Sequence, residues 1–197
     1  MAIETIEGGV CAAQGFTAAG VHCGIRKNRS KRDLALVVSE RRCAAAAVYT
    51  RNLVKGAPLL VTRQNLADGC AQAIVCNSGN ANTCNSNGIE IAQGMCALVS
   101  EATGIAASDV AVASTGVIGQ KLSLDPITQG MPQLIRSLSR DGKDAAEAIM
   151  TTDTFPKEAA ARFTAGGKVC TIGGMAKGSG MIHPNMGTML CFVTTDC

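Results

Sequence analysis

Aromatic residues are scarce in this sequence, which has no tryptophan, one tyrosine and four phenylalanines among 197 residues. Proteins that bind single-stranded nucleic acids stack bases on aromatic side chains, and nucleic-acid binders in general carry strong positive charge. The net charge here is only +3, and no aromatic residue interrupts the five basic residues within positions 26–32. That basic run fits a solvated loop before a strand better than an anion or polynucleotide patch. We therefore expect no nucleic-acid partner.

Long apolar runs are also missing from the chain. The longest, at positions 43–49, is far shorter than the roughly 18 residues that a membrane span requires. Positions 1–7 lack the basic start and the apolar core of a signal peptide. We therefore expect a cytoplasmic protein that does not associate with a membrane.

Metal-binding patterns are absent from the sequence as well. No two of the ten cysteines have C-x-x-C spacing, and only His22 and His183 can supply imidazole ligands. The sequence therefore predicts no metal site. Cys76 and Cys191 lie within short apolar segments, where a reduced thiol behaves as a small hydrophobic side chain. We expect buried free thiols rather than disulfides, as is usual in reducing compartments.

What the sequence does contain is a globular composition, with 47% hydrophobic and 17% charged residues in a length that suits one domain. Short apolar or β-branched segments predict strands at positions 34–38, 44–50, 59–62, 71–76, 110–113, 159–163, 168–172 and 189–194. Helical spacing predicts helices at positions 89–103, 125–138 and 144–150. These elements are mixed without a regular βαβ rhythm, a Rossmann fingerprint or an internal repeat, which indicates a mixed α/β fold.

Gly187 and Thr188 stand at the end of a glycine-rich segment, immediately before an apolar run. A glycine carbonyl can be strained and closely approached, and a threonine hydroxyl can attack it, so this pair suits self-cleavage. The new N-terminal threonine would carry an α-amino group of pKa about 7.7–8.0, a built-in general base. The alternative is a glycine-rich loop that leads into a buried strand, with Thr188 an ordinary strand residue.

Three other segments carry polar groups suited to acyl transfer. Thr115 and Gly116 follow a predicted strand, where a hydroxyl and an unobstructed N–H can form either an oxyanion hole or a simple turn. The Thr-Thr-Asp-Thr segment at positions 151–154 is either a cap and turn cluster or the polar wall of a site. Lys177 lies among glycines and is either an anion-binding cation or a surface lysine. Because Gly178 follows it, the segment is not a phosphate loop.

Taken together, these segments resemble the ornithine acetyltransferases of arginine biosynthesis. The resemblance covers nearly the whole chain in the expected order: an N-terminal glycine segment, the Asn-rich segment at positions 77–88, Ser-Thr-Gly, Thr-Thr-Asp-Thr and the terminal motif at positions 177–190. Two departures occur. The family usually has Ala-Thr where this chain has Gly187-Thr188, and Ala-Cys-Thr-Gly where it has Thr-Cys-Asn-Ser at positions 83–86.

The resemblance implies a fold and a processing event. The fold would be mixed α/β with layered sheets and helices, in a self-processing precursor that cleaves itself between Gly187 and Thr188. Residues 1–187 would form the α-chain region, and residues 188–197 would begin the β chain. The implied partner is the β chain of the same precursor, in a heterotetramer of two α and two β chains.

The resemblance also implies roles for individual residues. Thr188 would be the nucleophile. Thr115, through its hydroxyl, and Gly116, through its backbone N–H, would form the oxyanion hole. The substrate-binding residues would be Thr151, Lys177 and Thr188.

The implied activity is that of a glutamate N-acetyltransferase. An acetyl group would pass from N2-acetyl-L-ornithine to L-glutamate through an acetyl-threonine intermediate, giving L-ornithine and N-acetyl-L-glutamate. No cofactor is implied, although some members also use acetyl-coenzyme A as a donor substrate. We expect the isolated 197-residue chain to be inactive. Two alternatives are a self-processing amidase or aminopeptidase, in which water takes the acyl group, and a ligand-binding subunit without chemistry.

Overall fold

The computed structural model of the chain describes residues 3–178 and 189–197. Within them, strands form two four-stranded sheets. The strands are β1 (Ile3–Ile6), β2 (Phe16–Val21), β3 (Leu34–Ala44), β4 (Cys70–Asn80), β5 (Val110–Val117), β6 (Lys157–Ala165), β7 (Lys168–Lys177) and β8 (Leu190–Thr195). The α-helices are α1 (Ala57–Asn65), α2 (Gly88–Thr103), α3 (Asp125–Arg136) and α4 (Lys143–Ala148). The fold is mixed α/β, as predicted.

The two sheets differ in strand direction. One has the order β1-β6-β7-β8 and is antiparallel throughout. The other has the order β2-β3-β4-β5, and its last pair, β4 and β5, is parallel. Parallel neighbours need a long crossover connection, which α2 provides here. The carboxyl ends of β4 and β5 therefore lie at the same edge of this sheet.

Positions 34–37 of strand β3 are buried on both faces of the sheet, and this double burial sets the layers. Leu34 and Leu36 pack in a hydrophobic core with residues of α1, α2 and α3. Ala35 and Val37 pack in a second core with residues of α4 and β7. Because successive side chains of a strand point to opposite faces, three helices cover one face of this sheet, while α4 and the other sheet cover the opposite face. The result is the layered arrangement that the family resemblance implied.

Helix α4 lies unusually close to strand β2. Its Ala145, Ala146 and Ala148 are fully buried, so small side chains form its whole inner surface. A Cβ atom at Gly20 on β2 would lie 1.9 Å from the carbonyl oxygen of Asp144. Glycine at position 20 therefore permits the contact between helix and sheet.

The predicted helices are confirmed, with small differences at their ends. Helix α2 stops at Gly104, which adopts the left-handed conformation with φ of 77°. Helix α3 has Pro126 in its first turn, where the missing N–H costs no hydrogen bond. Strands predicted at positions 34–38, 71–76, 110–113, 159–163, 168–172 and 189–194 are also confirmed, most of them longer than predicted.

Two predicted strands are wrong. Positions 59–62 belong to α1, which begins after Gly56 with Pro58 in its first turn. Positions 44–50 have no regular structure beyond Ala44, the last residue of β3. Strand β4 begins at Cys70, opposite Ala44, so no neighbouring strand continues past this point to pair with residues 45–50. The segment therefore forms no strand, although the Ala45 N–H still donates to the Gly69 carbonyl oxygen over 2.7 Å.

All ten cysteines are free thiols, but they differ in burial. Cys76 is buried, as predicted. The prediction that Cys191 is buried is wrong, because it lies on the outward face of β8. None of the helices within residues 3–178 and 189–197 is long and apolar enough to cross a membrane.

Candidate active site

Two parallel strands bring the Asn-rich segment and the Ser-Thr-Gly segment together. In the register of β4 and β5, Ser78 lies opposite Thr115, and Gly79 lies opposite Gly116. The carboxyl ends of parallel strands meet at one edge of a sheet, which is where such sheets usually place a site. The dominance of Asn, Ser and Gly at positions 77–88 predicts a loop, which the structure confirms only between β4 and α2, because positions 77–80 continue β4.

Lys177, the last residue of β7, reaches this edge from the other sheet. Its Nζ donates a hydrogen bond to Thr115 Oγ1 over 3.1 Å, and the two residues are only 3% and 6% exposed. Because Thr115 Oγ1 accepts from an ammonium group, its own proton points away from Lys177, and the polarised hydroxyl becomes a stronger donor. The interpretation of Lys177 as a surface lysine is therefore wrong.

The charge state of Lys177 depends on opposing effects. Burial has the largest influence and lowers the pKa of the Lys177 ammonium group, as the positive charges of Arg26 and Lys157 also do. The Asp153 carboxylate and, to a smaller extent, Cys76 raise it. A cation of this kind lies at the junction of the two sheets, beside a hydroxyl that can act as a donor. The arrangement favours binding of an anion or of a developing oxyanion.

Gly116 occupies a position that no other residue can fill without a shift of the backbone. Its φ is 136°, a conformation that essentially only glycine adopts. A Cβ atom there would lie 2.3 Å from the carbonyl carbon of Gly79 and 2.6 Å from the backbone nitrogen of Asn80. Strands β4 and β5 therefore approach each other closely at the point where the Ser-Thr-Gly segment ends.

A buried asparagine fixes the ends of both strands. Asn77 is fully buried, and its Oδ1 accepts a hydrogen bond from Ser114 Oγ over 2.6 Å. Its Nδ2 donates to the carbonyl oxygen of Asn80 over 3.0 Å. The Asn80 side chain in turn donates to the carbonyl oxygen of Gln120 over 2.9 Å. A satisfied polar network of this kind holds its members in one geometry, so the donors around Thr115 are pre-positioned.

The Thr-Thr-Asp-Thr segment lies beside the end of β7, to which Asp153 connects it. The backbone N–H of Thr151 donates to Asp153 Oδ2 over 3.2 Å. Asp153 Oδ1 accepts hydrogen bonds from Lys157 Nζ at 2.6 Å and from the Gly178 N–H at 2.8 Å. Burial by itself raises the pKa of Asp153, but these three hydrogen bonds outweigh it and lower the pKa to about 2. The carboxylate thus stays charged at neutral pH and ties this segment to β7.

Arg26 also lies at this site, although the sequence did not single it out. Its side chain packs over Gly79, where a Cβ atom would lie 2.9 Å from Arg26 Cγ. Its guanidinium group donates to the carbonyl oxygen of Met150, and its Nε is buried without a hydrogen-bond partner among the described residues. The solvated-loop interpretation of the basic run is therefore wrong for Arg26, whereas residues 27–31 are exposed. Nothing in the spacing of the sequence distinguishes Arg26 from these neighbours.

The positive charge of Lys177 acts on the buried thiol of Cys76. Burial raises the pKa of Cys76 to about 12, and the positive charge of Lys177 offsets only part of that effect. The thiol is therefore protonated at neutral pH and is a poor nucleophile.

The predicted cleavage site and nucleophile, Gly187 and Thr188, lie outside the described residues. On either side, the described chain ends at Gly178 and resumes at Met189. In the register of β7 and β8, Lys177 pairs with Leu190. The chain therefore leaves and re-enters the described structure next to the contact between Lys177 and Thr115.

The described part of the chain offers no metal centre. Within residues 3–178 and 189–197, no group of three or more His, Cys, Asp or Glu side chains is placed to hold a metal ion.

The roles of Thr115, Gly116, Thr151 and Lys177 in oxyanion and substrate binding stay predictions. The structure brings these four residues to one edge, between the two sheets.

Comparison with known proteins gives a consistent set of relatives. A family model described as the ArgJ family matches residues 17–197. The arginine biosynthesis bifunctional protein ArgJ of Symbiobacterium thermophilum is 55% identical over 197 residues, covering 98% of this chain and 49% of that protein. The protein of the same name from Caldanaerobacter subterraneus is 50% identical over 196 residues, covering 98% and 48%. The chain thus spans about half the length of the curated relatives it matches.

Solved structures are also similar. The arginine biosynthesis bifunctional protein argJ from Bacillus halodurans has a TM-score of 0.88 at 42% identity, over 96% of this chain and 98% of that one. The ornithine acetyltransferase from Mycobacterium tuberculosis, complexed with ornithine, has a TM-score of 0.84 at 39% identity, over 93% and 99%. The PH0078 protein from Pyrococcus horikoshii has a TM-score of 0.62 at 13% identity, over 100% and 65%, and so shares the fold alone.

Proposed function

The chain belongs to the ArgJ family, and on that premise we propose that it is the α-chain region of a glutamate N-acetyltransferase of arginine biosynthesis. The observation that carries the proposal is the buried contact between Lys177 and Thr115, next to Gly116, at the end of the parallel strand pair. The similarity to an ornithine acetyltransferase that was solved with ornithine supports the same substrate class.

The proposed reaction uses Thr188 as its nucleophile. The Thr188 hydroxyl attacks the acetyl carbonyl carbon of N2-acetyl-L-ornithine, and its proton passes to the free α-amino group of the same residue. The C–N bond to ornithine then breaks, and that proton moves to the departing amine. The amine of L-glutamate attacks the acetyl-threonine next, releases N-acetyl-L-glutamate and restores the hydroxyl. Acetyl-coenzyme A is a further candidate donor, and no cofactor takes part.

The oxyanion of each tetrahedral intermediate is proposed to bind at Thr115 and Gly116. The Thr115 hydroxyl accepts from Lys177, which leaves its proton to donate towards the negative oxygen. The backbone N–H of Gly116 is proposed as the second donor, on the strand end that lies closest to β4. Removing one donor of an oxyanion hole typically costs about 10²–10³ in rate.

Thr151, Lys177 and Thr188 are proposed to bind the substrate. Lys177 supplies positive charge for the carboxylate of the amino-acid substrate. Thr151 belongs to the segment that Asp153 ties to the end of β7.

Self-cleavage between Gly187 and Thr188 is proposed to generate the nucleophile. Residues 1–187 then form the α-chain region, and residues 188–197 begin the β chain of the same precursor. The proposed assembly is a heterotetramer of two α and two β chains in the cytoplasm. The β chain is proposed to supply further substrate contacts.

The test is the variant Thr188→Ala, made in the protein expressed from its complete coding sequence. Intact mass spectrometry should find the variant uncleaved, and an assay of glutamate-dependent ornithine release from N-acetylornithine should find it inactive. The matched control is Thr195→Ala at an exposed residue of β8, whose hydroxyl donates to the Thr171 carbonyl oxygen over 2.8 Å at the end of the strand away from Lys177. The control should be cleaved and active. Normal cleavage and turnover in Thr188→Ala would refute the proposed function, and ornithine release without glutamate would indicate an amidase instead.

A further inference from the structure

Asp153 is a buried carboxylate to which the proposed mechanism gives no role. It lies in the loop between α4 and β6, and only 4% of its side chain is exposed. Three donors from different parts of the site converge on it. They are the Thr151 N–H at 3.2 Å, Lys157 Nζ at 2.6 Å and the Gly178 N–H at 2.8 Å.

The Gly178 hydrogen bond is the one that links Asp153 to processing. Gly178 follows Lys177 and is the last described residue before the segment that contains Gly187 and Thr188. Its neighbour Lys177 donates to Thr115, the proposed oxyanion donor. Asp153 therefore fixes the backbone at the point where the chain leaves β7, within one residue of the group that contacts Thr115.

We propose that Asp153 is a positioning residue for self-cleavage, which acts by holding the Gly178 backbone in place relative to Thr115. This inference rests on the proposed function, because it concerns cleavage between Gly187 and Thr188. Asp153 does not touch the reacting atoms in this proposal. Its carboxylate fixes the backbone at Gly178, the last described residue before that bond.

A simple ion pair with Lys157 does not account for the geometry. Lys157 is held locally in any case, because its Nζ also donates to the carbonyl oxygen of Phe155 over 3.2 Å and lies 4.6 Å from the centre of the Phe155 ring. A surface pair needs one carboxylate oxygen and little burial, and it contributes little to stability. Asp153 instead uses both oxygens, and two of its three donors are backbone N–H groups from separate segments.

The most informative variant is Asp153→Asn, which keeps the shape and removes the charge. An amide has one oxygen and one NH₂ group, so it cannot accept hydrogen bonds on both sides. If the oxygen faces Gly178 and Lys157, the NH₂ group faces the Thr151 N–H, and the reverse orientation places NH₂ against Gly178. At least one backbone donor is therefore lost in either orientation.

The matched control is Asp109→Asn. Asp109 is also a poorly exposed carboxylate, with 12% of its side chain exposed, and it accepts two hydrogen bonds of 2.9 Å from Arg42 Nε. It precedes the first residue of β5, whereas Thr115 lies near the other end of that strand. The control thus loses a buried charged contact without disturbing the proposed site.

The experiment follows cleavage over time by intact mass spectrometry after expression from the complete coding sequence. Loss of a charged hydrogen bond should slow cleavage roughly tenfold or more in Asp153→Asn, with Asp109→Asn close to the wild-type rate. Hydrogen exchange should show faster exchange of the Gly178 amide in Asp153→Asn only. Equal cleavage rates in Asp153→Asn and the wild type would overturn the inference and leave the proposed function intact. A wild-type chain that never cleaves would overturn both.

A second variant covers the case in which Asp153→Asn does not fold. In Gly178→Ala the carboxylate remains, and the new Cβ atom would lie 3.3 Å from Asp153 Oδ1, close enough to push the two groups apart. Cleavage several-fold slower than in the wild type is expected. An unchanged rate in folded Gly178→Ala would also overturn the inference.

Discussion

Gly116 shows how much a single residue constrains the candidate site. In Gly116→Ala the new Cβ atom would overlap the backbone of Gly79, and the φ of 136° would be strained as well. We expect the free energy of unfolding to fall by about 3 kcal/mol or more, because backbone atoms cannot move aside as a flexible side chain can. Glutamate-dependent ornithine release should fall by at least about 10²-fold, since the oxyanion donors shift. Urea unfolding and steady-state kinetics measure the two effects.

Gly119→Ala is the matched control for this variant. Gly119 also has a positive φ, of 76°, but nothing lies within 4 Å of the position its Cβ would occupy. Only backbone strain is expected, about 1 kcal/mol, with activity largely kept. Equal losses of stability in the two variants would show that the close approach of β4 and β5 is not what position 116 requires.

Asp153 makes a contribution to stability that depends on pH. Its pKa is about 2 in the folded protein, against an ordinary value of 3.8. A carboxylate with a lowered folded pKa stabilises the protein above the unfolded pKa, and this contribution disappears as the pH falls through the folded pKa. Because only 4% of the Asp153 side chain is exposed, this contribution to the free energy of unfolding amounts to about 1–2 kcal/mol after allowance for solvent screening.

The measurement is urea unfolding of the wild type and Asp153→Asn at about pH 5 and about pH 2. At the higher pH the wild type should have the larger free energy of unfolding. The difference in this free energy between the wild type and Asp153→Asn should be about 1–2 kcal/mol smaller at the lower pH. Other carboxylates titrate in both proteins, so the difference isolates Asp153. A difference that does not change with pH would mean that the carboxylate is not stabilised in the folded state.

Among the elements, α1 protects an edge of the sheet. Strand β5 is the last strand in the order β2-β3-β4-β5, and side chains of α1 satisfy its outer backbone groups. Thr62 Oγ1 accepts from the Val112 N–H over 2.8 Å and donates to the Val112 carbonyl oxygen over 2.6 Å. Asn65 Nδ2 donates to the Val110 carbonyl oxygen over 2.9 Å. Covered edges of this kind avoid pairing with other chains.

Thr62→Val tests this role of α1, because valine has the same shape and no hydroxyl. The variant leaves a buried N–H and a buried carbonyl oxygen of Val112 without partners, so we expect a loss of about 2–4 kcal/mol in the free energy of unfolding. Thr62→Ser keeps the hydroxyl and should lose about 1 kcal/mol for the missing methyl group. Chemical denaturation of both variants gives the comparison, and a valine variant as stable as the serine variant would contradict the role.

The same helix shows where prediction from sequence fails. Residues 59–62 are apolar and β-branched, which favours a strand, but Pro58 begins a helix that Val61 and Thr62 anchor against β5 and α2. Tertiary contacts outweigh weak local preferences in such short segments. By contrast, α2 and α3 were predictable because long apolar periodicity, a terminal glycine and an early proline all agree.

The candidate site was predictable to the extent that short motifs mark it. Thr115, Gly116 and Lys177 carry recognisable local patterns, and the structure brings them together. Arg26 and the linking role of Asp153 depend on contacts between segments that lie 124 and 25 residues apart in the sequence. Such pairings arise only from the register of the two sheets, which no local pattern encodes.

At the scale of the whole molecule, the site lies where the two sheets meet. Thr115 comes from the sheet with a parallel pair, and Lys177 comes from the antiparallel sheet. Helix α4 packs between the sheets through its small residues. Any change in the spacing of the sheets therefore moves Lys177 relative to Thr115. The layers both bury the core and set the distance between the two proposed catalytic elements.

Strand β8 follows the proposed cleavage bond in the sequence. It nevertheless pairs with β7, which lies before that bond. Six residue pairs join it to β7, from Lys177 with Leu190 to Ile172 with Thr195. Beyond the strand, the Asp196 carboxylate accepts the N–H groups of Thr171 at 2.6 Å and of Gln14 at 2.9 Å. These contacts do not depend on the peptide bond between Gly187 and Thr188.

Cleavage should therefore leave the two pieces associated. We expect the piece that begins at Thr188 to co-elute with residues 1–187 in native gel filtration and to separate from them only in concentrated guanidinium chloride. In Thr194→Val the buried carbonyl oxygen of Val10 loses the hydrogen bond it accepts from Thr194 Oγ1 at 2.7 Å, so dissociation should begin at lower denaturant concentration. Loss of the second piece from the cleaved wild type during native gel filtration would contradict this. Such a result would mean that the backbone connection, rather than the sheet, holds β8 in place.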